Sequence, residues 1–230
     1  MNVAVIPARG GSKRIPRKSI KSFHGKPIMA WSIEAAQASG LFDRVMVSTD
    51  DDEIADIAVA LGAEVPFKRP AELADDYATT LQVMSHAAAF LEQQYTNLEA
   101  VCCIYPAAPF IRAEEIQAGH QALFSSSWQY AFSVTNYATS VYRSFIAGDS
   151  GGVEMIFPDH YETRSQDLPE CLHDAAQFYW GRPSAWIQQL PIFAAHSVPI
   201  RIPNWRVVDI DTPEDWERAL ARAATISSQP

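Results

Sequence analysis

Asn2-Val3-Ala4-Val5-Ile6-Pro7-Ala8-Arg9-Gly10-Gly11-Ser12-Lys13-Arg14-Ile15-Pro16-Arg17-Lys18 opens the chain, and its reading decides the fold. Val3–Ile6 is an unbroken apolar run, the mark of a strand buried on both faces; Pro7 and Arg9-Gly10-Gly11 turn it into a loop at its carboxyl end. Working outward, Pro27 opens a helix to about Ser39, closed by Gly40. Arg44–Ser48 predicts a second strand, and Asp50 with Glu53 a capping-box-like start for a helix through Leu61, ended by Gly62. Glu64–Phe67 predicts a brief third strand. Thr79 with Gln82 caps a helix to about Gln94, Val101–Tyr105 reads as a buried strand, and Pro106–Pro109 leads to a helix from about Arg112. Strands alternating with helices predict an α/β fold with a doubly wound, mostly parallel sheet. Right-handed crossovers then place the ligand crevice at the carboxyl ends of the strands.

The rhythm breaks after about Ser127. Ala131–Val134 and Val141–Phe145 predict strands, and Gly148–Gly152 a turn. Aromatics crowd residues 137–181, which predicts a small β-rich subdomain inserted into a single domain spanning 1–230. Such a stretch is either a second small core or a dimer arm, since aromatics are enriched at interfaces. The α/β pattern resumes with a strand over Arg206–Ile210. A helix follows from Thr212, Pro213 and Asp215 to about Thr225, with Trp216, Leu220 and Ala223/Ala224 as its core face. Ser227–Pro230 is expected to fray.

Composition narrows the function. At 48% hydrophobic and 20% charged, the 230 residues can bury a sizeable core. The net charge of −9 disfavours a nucleic-acid partner or a membrane surface, which would want a positive stripe. The charge is uneven, however: residues 1–33 carry +7, with no acid before Glu34, and the remainder carries −16. An anionic partner for the N-terminal segment follows. Cys102, Cys103 and Cys171 have neither disulfide-framework nor zinc spacing. Neighbours on one strand, Cys102 and Cys103 should be buried on opposite faces. With no apolar run of membrane-spanning length and no signal peptide, a reducing, cytoplasmic location is expected.

Two motifs carry chemistry. In the loop Ala8-Arg9-Gly10-Gly11-Ser12-Lys13, the glycines would let backbone N–H groups converge as an anion nest. Arg9, Lys13, Arg14, Arg17 and Lys18 add charge, and Ser12 a hydroxyl. That suits a polyphosphate, although the loop is neither a Walker A nor a G-x-G-x-x-G motif. In Asp209-Ile210-Asp211 the spacing of two puts both carboxylates on one face of a strand end. Two carboxylates with phosphate oxygens and water suit Mg²⁺. Together the motifs point to nucleotidyl transfer, with basic side chains such as Arg9 and Lys18 stabilising charge in the transition state.

The opening motif Ile6–Pro16 resembles that of the acylneuraminate cytidylyltransferase (CMP-sialic acid synthetase) family. The resemblance continues through Arg69–Asp76, Pro106–Arg112, Arg164–Pro169 and Asp209–Asp211, so that it spans nearly the whole chain in order. Cys102–Tyr105 and His173–Gly181 look most like the members that take pseudaminic acid. The resemblance implies a Rossmann-like sheet of nucleotidyltransferase type. It also implies transfer of CMP from CTP to the anomeric hydroxyl of a nine-carbon α-keto acid sugar, with release of pyrophosphate. Arg9, Ser12, Lys18, Arg69 and Thr79 or Thr80 would hold CTP, while Asp209 and Asp211 would hold Mg²⁺. The family's sugar pocket is completed by a second subunit, which implies a homodimer. Two departures matter. Lys18-Ser19 stands where the family often has Lys-Asn, shortening a nucleotide contact. Tyr105 stands where sialic acid synthetases carry Gln, which argues against ordinary sialic acid.

On the sugar side, Arg164 either forks the sugar carboxylate or pairs with Asp167. Gln166 lies in the same motif. His173, Asp174 and Gln177 offer donors and acceptors, with His173 a conceivable general base, and Tyr179 offers an apolar wall. Alternative readings are legionaminic or N-acetylneuraminic acid as the sugar, or a non-catalytic nucleotide-binding protein of the same fold.

Overall fold

A computed structural model describes residues 1–227; of the four residues expected to fray, 228–230 lie outside the described ones. The strands are β1 (Asn2–Pro7), β2 (Ser22–Phe23), β3 (Lys26–Pro27), β4 (Arg44–Ser48), β5 (Ala100–Ile104), β6 (Tyr130–Asn136), β7 (Phe145–Ala147), β8 (Val153–Met155), β9 (Leu172–Gly181) and β10 (Ser197–Arg201). The helices are α1 (Ile28–Ala38), α2 (Asp52–Ala60), α3 (Thr80–Gln94), α4 (Ala113–Phe124), α5 (Pro183–Ile187) and α6 (Pro213–Ser227). A six-stranded sheet runs in the order β10-β6-β9-β5-β1-β4. β1 pairs in parallel with β4 and β5, and β10 with β6; β9 alone runs antiparallel, between β5 and β6. β2 pairs with β3, and β7 with β8, as separate two-stranded ladders.

The period of two in each strand divides the core between the sheet faces. Ala4, Ile6, Cys102, Ile104, Phe178 and Trp180 pack with α1, α2 and α4, whereas Val3, Val5, Cys103, Tyr130 and Tyr179 pack with α3 and α5. Cys102 and Cys103 are thus fully buried on opposite faces. A third cluster joins the basic loop to α6 through Ile15, Phe23, Phe110, Ile210 and Trp216. Gly119 lets α4 lie close on the sheet: a Cβ there would stand 2.7 Å from Phe178 and Trp180.

Several expectations need correction. The cap of α2 is Asp51, whose side chain accepts from Ile54 N, one residue beyond Asp50. Glu64–Phe67 forms no strand, only isolated bridges at Glu64 and Lys68. Val141–Arg143 is a 3-10 turn, and the ribbon begins at Phe145. Arg206–Ile210 is no strand either. A 3-10 turn over Asn204–Arg206 precedes it, and Ser197–Arg201 has already taken the edge place beside β6. Pro199 hid that strand, because a proline in mid-run is tolerated only at an edge. On α6 the buried face is Trp216, Ala219 and Ala223, while Ala224 is exposed. The excursion expected over 137–181 ends earlier, since Leu172–Gly181 is a strand of the central sheet.

Candidate active site

The basic loop leaves β1 at the carboxyl end of the sheet. Its glycines do not build a nest: neither Gly10 nor Gly11 has a positive φ, and Gly10 N–H donates to Asp50 Oδ1 at 3.1 Å. Gly10 serves close approach instead, because a Cβ there would lie 2.7 Å from Asp51 Oδ2. Arg17 takes the left-handed conformation (φ 56°) and pairs with Asp51 and Glu53, which ties the loop to α2. Arg17 is therefore a clasp between the loop and α2, and the other cations of the loop are left to its neighbours.

Those neighbours face a cleft of about 550 Å³, lined by Arg9, Ser12, Lys13, Arg14, Lys18 and Ser19 from the loop, together with Arg69, Asp76, Thr80 and Tyr105. Arg9 and Lys13 both pair with Asp76, and Arg14 pairs with Asp211 at 2.8 Å. Hydrogen bonding from Lys13 holds the Asp76 carboxyl below the usual carboxylate range, with Arg9 adding to the effect. Lys18 Nζ donates to the Ile210 carbonyl at 2.6 Å and to Asp211 Oδ1 at 3.2 Å. Arg69 is the unusual cation. It is 5% exposed and, among the described residues, has no carboxylate in ion-pair contact; its guanidinium is held by the Ser48 carbonyl and hydroxyl. Burial lowers its pKa to about 10, so it stays protonated at neutral pH as a desolvated charge facing the cleft.

A second lobe of about 300 Å³ adjoins the first and shares Lys18, Tyr105, Pro106 and Asp211 with it. Asp174, Asp209 and Asp211 line it. Asp209 is open to the lobe, yet desolvation by the surrounding protein, followed by repulsion from Asp211, raises its carboxyl above the ordinary range; Lys18 counters this. Asp174 is aimed here by an irregularity in β9, where the pairing with β6 shifts register and Ala176 takes φ 51°. One of its oxygens accepts Ala176 N–H at 3.0 Å and the other the Tyr179 hydroxyl. Tyr105 stands between the lobes with its hydroxyl 2.7 Å from Thr80 Oγ1, and burial pushes its pKa up to about 12.

The structure thus gathers Arg9, Ser12, Lys13, Lys18, Ser19, Arg69, Thr80, Tyr105, Asp174, Asp209 and Asp211 around one cleft. Other expected site residues stand elsewhere. Ala8 is fully buried, Gly10 and Gly11 do not line the cleft, and Thr79 makes the capping box of α3 with Gln82. Tyr179 is buried behind Asp174, with its pKa raised by burial and then by Tyr105 and Asp174. Gln177 is buried and donates to the Arg206 carbonyl. His173 packs its ring on Tyr137 and lines neither lobe. Arg164 and Gln166 are exposed on the excursion, and among the described residues Arg164 makes no ion pair with Asp167. Sequence reasoning missed Asp76 as the counter-charge of the loop: it closes the Arg69–Asp76 motif, but its partners Arg9 and Lys13 lie far away in the chain.

A row of cations beside two aspartates, at the carboxyl end of a mostly parallel sheet, is the arrangement expected of a nucleotidyltransferase. Over residues 3–145 the chain matches the cytidylyltransferase family, and it belongs to that family. It is 40% identical to a pseudaminic acid cytidylyltransferase of Campylobacter jejuni, over 95% of this chain and 94% of that one. It is 30% identical to N-acylneuraminate cytidylyltransferase A of Danio rerio, over 95% of this chain and 50% of that one. Among solved structures it is similar to a CMP:2-keto-3-deoxy-manno-octonic acid synthetase in complex with CTP, with a TM-score of 0.72 and 17% identity over 99% of each chain. That likeness shows the fold.

Proposed function

We propose that the chain transfers CMP from CTP to the anomeric hydroxyl of a nine-carbon α-keto acid sugar, with pseudaminic acid as the sugar. The observation that carries this reading is the division of the cleft: a lobe of cations joined, at Lys18 and Asp211, to a lobe of carboxylates. The triphosphate lies along Arg9, Ser12, Lys13, Lys18 and Arg69. The anomeric oxygen attacks the α-phosphorus as its proton passes to solvent, the bond to the bridging oxygen breaks, and pyrophosphate leaves with the electron pair. Arg9, Lys13 and Lys18 neutralise charge as it moves onto the leaving group.

Asp209 and Asp211 fit a divalent cation, since two mutually repelling carboxylates with all-oxygen chemistry face one lobe. When bound, Mg²⁺ supplies charge neutralisation at the phosphates and the leaving group. The sugar's own carboxylate could not enter a lobe lined by three aspartates without such compensation. Asp174, fixed by Tyr179 and Ala176 N–H, accepts from a sugar hydroxyl or amide.

Identity to the Campylobacter jejuni relative supports pseudaminic acid, and Tyr105 in place of an amide supports it against N-acetylneuraminic acid. Comparing kcat/KM over pseudaminic, legionaminic and N-acetylneuraminic acids tests the sugar. Pseudaminic acid is expected to lead, and equal or better use of N-acetylneuraminic acid overturns the choice.

Asp76 acts as an internal stand-in for phosphate, holding Arg9 and Lys13 until CTP arrives. Asp76→Asn is therefore expected to lower the KM for CTP about two- to fivefold at low salt, the reach of a pair of half-exposed ion pairs. The gain should fade as salt screens it. Steady-state kinetics at two salt concentrations read this out, and a raised KM contradicts it.

The excursion carries Phe145 (56% exposed), Val153 (68%) and Tyr161 (69%) around an exposed ribbon. Scattered apolar residues are ordinary, but the β7–β8 register sets Phe145 and Val153 on one face of the ribbon, and exposed apolar residues that share a face suit an interface. A second copy of the chain covers it and brings Arg164 and Gln166 to the sugar. Phe145→Asp combined with Val153→Lys is expected to halve the mass in light scattering and to raise the KM for sugar, while CTP binding persists. A variant that remains dimeric contradicts this.

A further inference from the structure

Asp209 and Asp211 stand on a segment that no strand ladder holds. After the turn Asn204–Arg206 the chain reaches Ile210 without a strand partner among the described residues. Side chains from other elements fix it instead. Arg206, 5% exposed, pairs with Glu115 of α4 and donates to the Phe110 carbonyl at 3.5 Å. Gln177 of β9 donates to the Arg206 carbonyl at 3.3 Å, and Arg222 of α6 donates to the Val207 carbonyl at 3.0 Å. Asp215 accepts Asp211 N–H at 3.2 Å.

Of these grips, the Arg206–Glu115 pair is buried on both sides, with side chains 6% and 14% exposed. A buried ion pair is a weak source of stability, because desolvation offsets the attraction, and apolar residues of like volume often hold a fold as well or better. The surroundings add to the cost: Glu115 Oε2 and Gln177 Oε1 are buried without a hydrogen-bond partner. What the pair does supply is direction. The guanidinium fork fixes Arg206 against α4 and the Phe110 carbonyl, and the Arg206 carbonyl is fixed against β9, three residues before Asp209.

We propose that Arg206, held by Glu115 and Gln177, is a positioning residue that sets the placement of the Asp209 and Asp211 carboxylates and so tunes divalent-cation affinity. This rests on the reading of those aspartates as the metal pair. Outer groups that orient ligating carboxylates typically change metal affinity about ten- to a hundredfold when removed.

The test is the paired variant Arg206→Met with Glu115→Leu in the full chain, without sugar for the binding measurements. Its melting temperature without ligands is expected to stay near or above that of the unaltered protein. The Mg²⁺ concentration for half-maximal turnover should rise about tenfold. The melting-temperature rise given by CTP with EDTA should persist, while the additional rise from Mg²⁺ should shrink. An unchanged Mg²⁺ midpoint overturns the proposal, as does an equal loss of the EDTA-insensitive CTP effect, which a merely structural role would produce. Should the paired variant not fold, Arg206→Lys keeps the charge beside Glu115 but loses the fork; it is expected to raise the midpoint, and an unchanged midpoint again overturns the proposal. Asp211→Asn separates the two claims. A full Mg²⁺-dependent rise in that variant would mean the metal pair itself is misassigned, whereas loss there with retention in the Arg206 variants sinks only the positioning role.

Discussion

Asp211→Asn is expected to lower kcat about a thousandfold, the size of losing one principal electrostatic contribution to a transition state. The substitution keeps the shape and the backbone bond from Asp211 N–H to Asp215. Asp211 is 40% exposed at its side chain, so its pairs with Arg14 and Lys18 contribute no more than about 1 kcal/mol to the fold. The melting temperature should barely move. The sign on nucleotide binding is informative. Removing one negative charge frees Arg14 and Lys18, so CTP affinity measured with a chelator should hold or improve even as turnover collapses. Single-turnover kinetics and a thermal melt on the same preparation check both halves. Unchanged turnover would remove Asp211 from the catalytic machinery.

Arg69→Met is expected to raise the KM for CTP about a hundredfold without a matching loss of stability. A desolvated guanidinium meeting a phosphate contributes on the order of 2–5 kcal/mol, judged by truncations of buried charged partners. In the ligand-free protein the same guanidinium is a cost. Burial lowers its pKa to about 10, and among the described residues no carboxylate pairs with it. The Ser48 carbonyl keeps a second donor in Ala8 N–H at 3.0 Å, so losing Arg69 leaves that group satisfied. The melting temperature of Arg69→Met should therefore stay level or rise. A fall in stability as large as the fall in affinity would mean that Arg69 serves the fold first.

The parts of this architecture that could be read in advance are those written locally. β1 is an unbroken apolar run, α3 carries a complete capping box at Thr79 and Gln82, and the cations of the basic loop adjoin one another in the chain. What could not be read depends on distant partners. β9 joins the central sheet antiparallel after a long excursion, and its polar start at His173 and Asp174 with the kink at Ala176 hides its strand character. β10 was hidden by Pro199, which only an edge place can accommodate. Arg206–Ile210 reads as a strand from its sequence but forms none; Ile210 is 1% exposed, and Asp209 and Asp211 line the second lobe with it. Gly10 looked like part of an anion nest, but contact with Asp51 explains its lack of a side chain. Asp76 closes a recognisable motif, but its pairing could not be read there, since only folding brings it to Arg9 and Lys13.

The most direct measurement is product analysis after incubating the purified chain with CTP, Mg²⁺ and pseudaminic acid. The expected result is CMP-pseudaminic acid and pyrophosphate in equal amounts, with neither formed when EDTA is present or when ATP, GTP or UTP replaces CTP. Pyrophosphate release without CMP-sugar, or no product from any nonulosonic acid in the presence of CTP and Mg²⁺, would contradict the account.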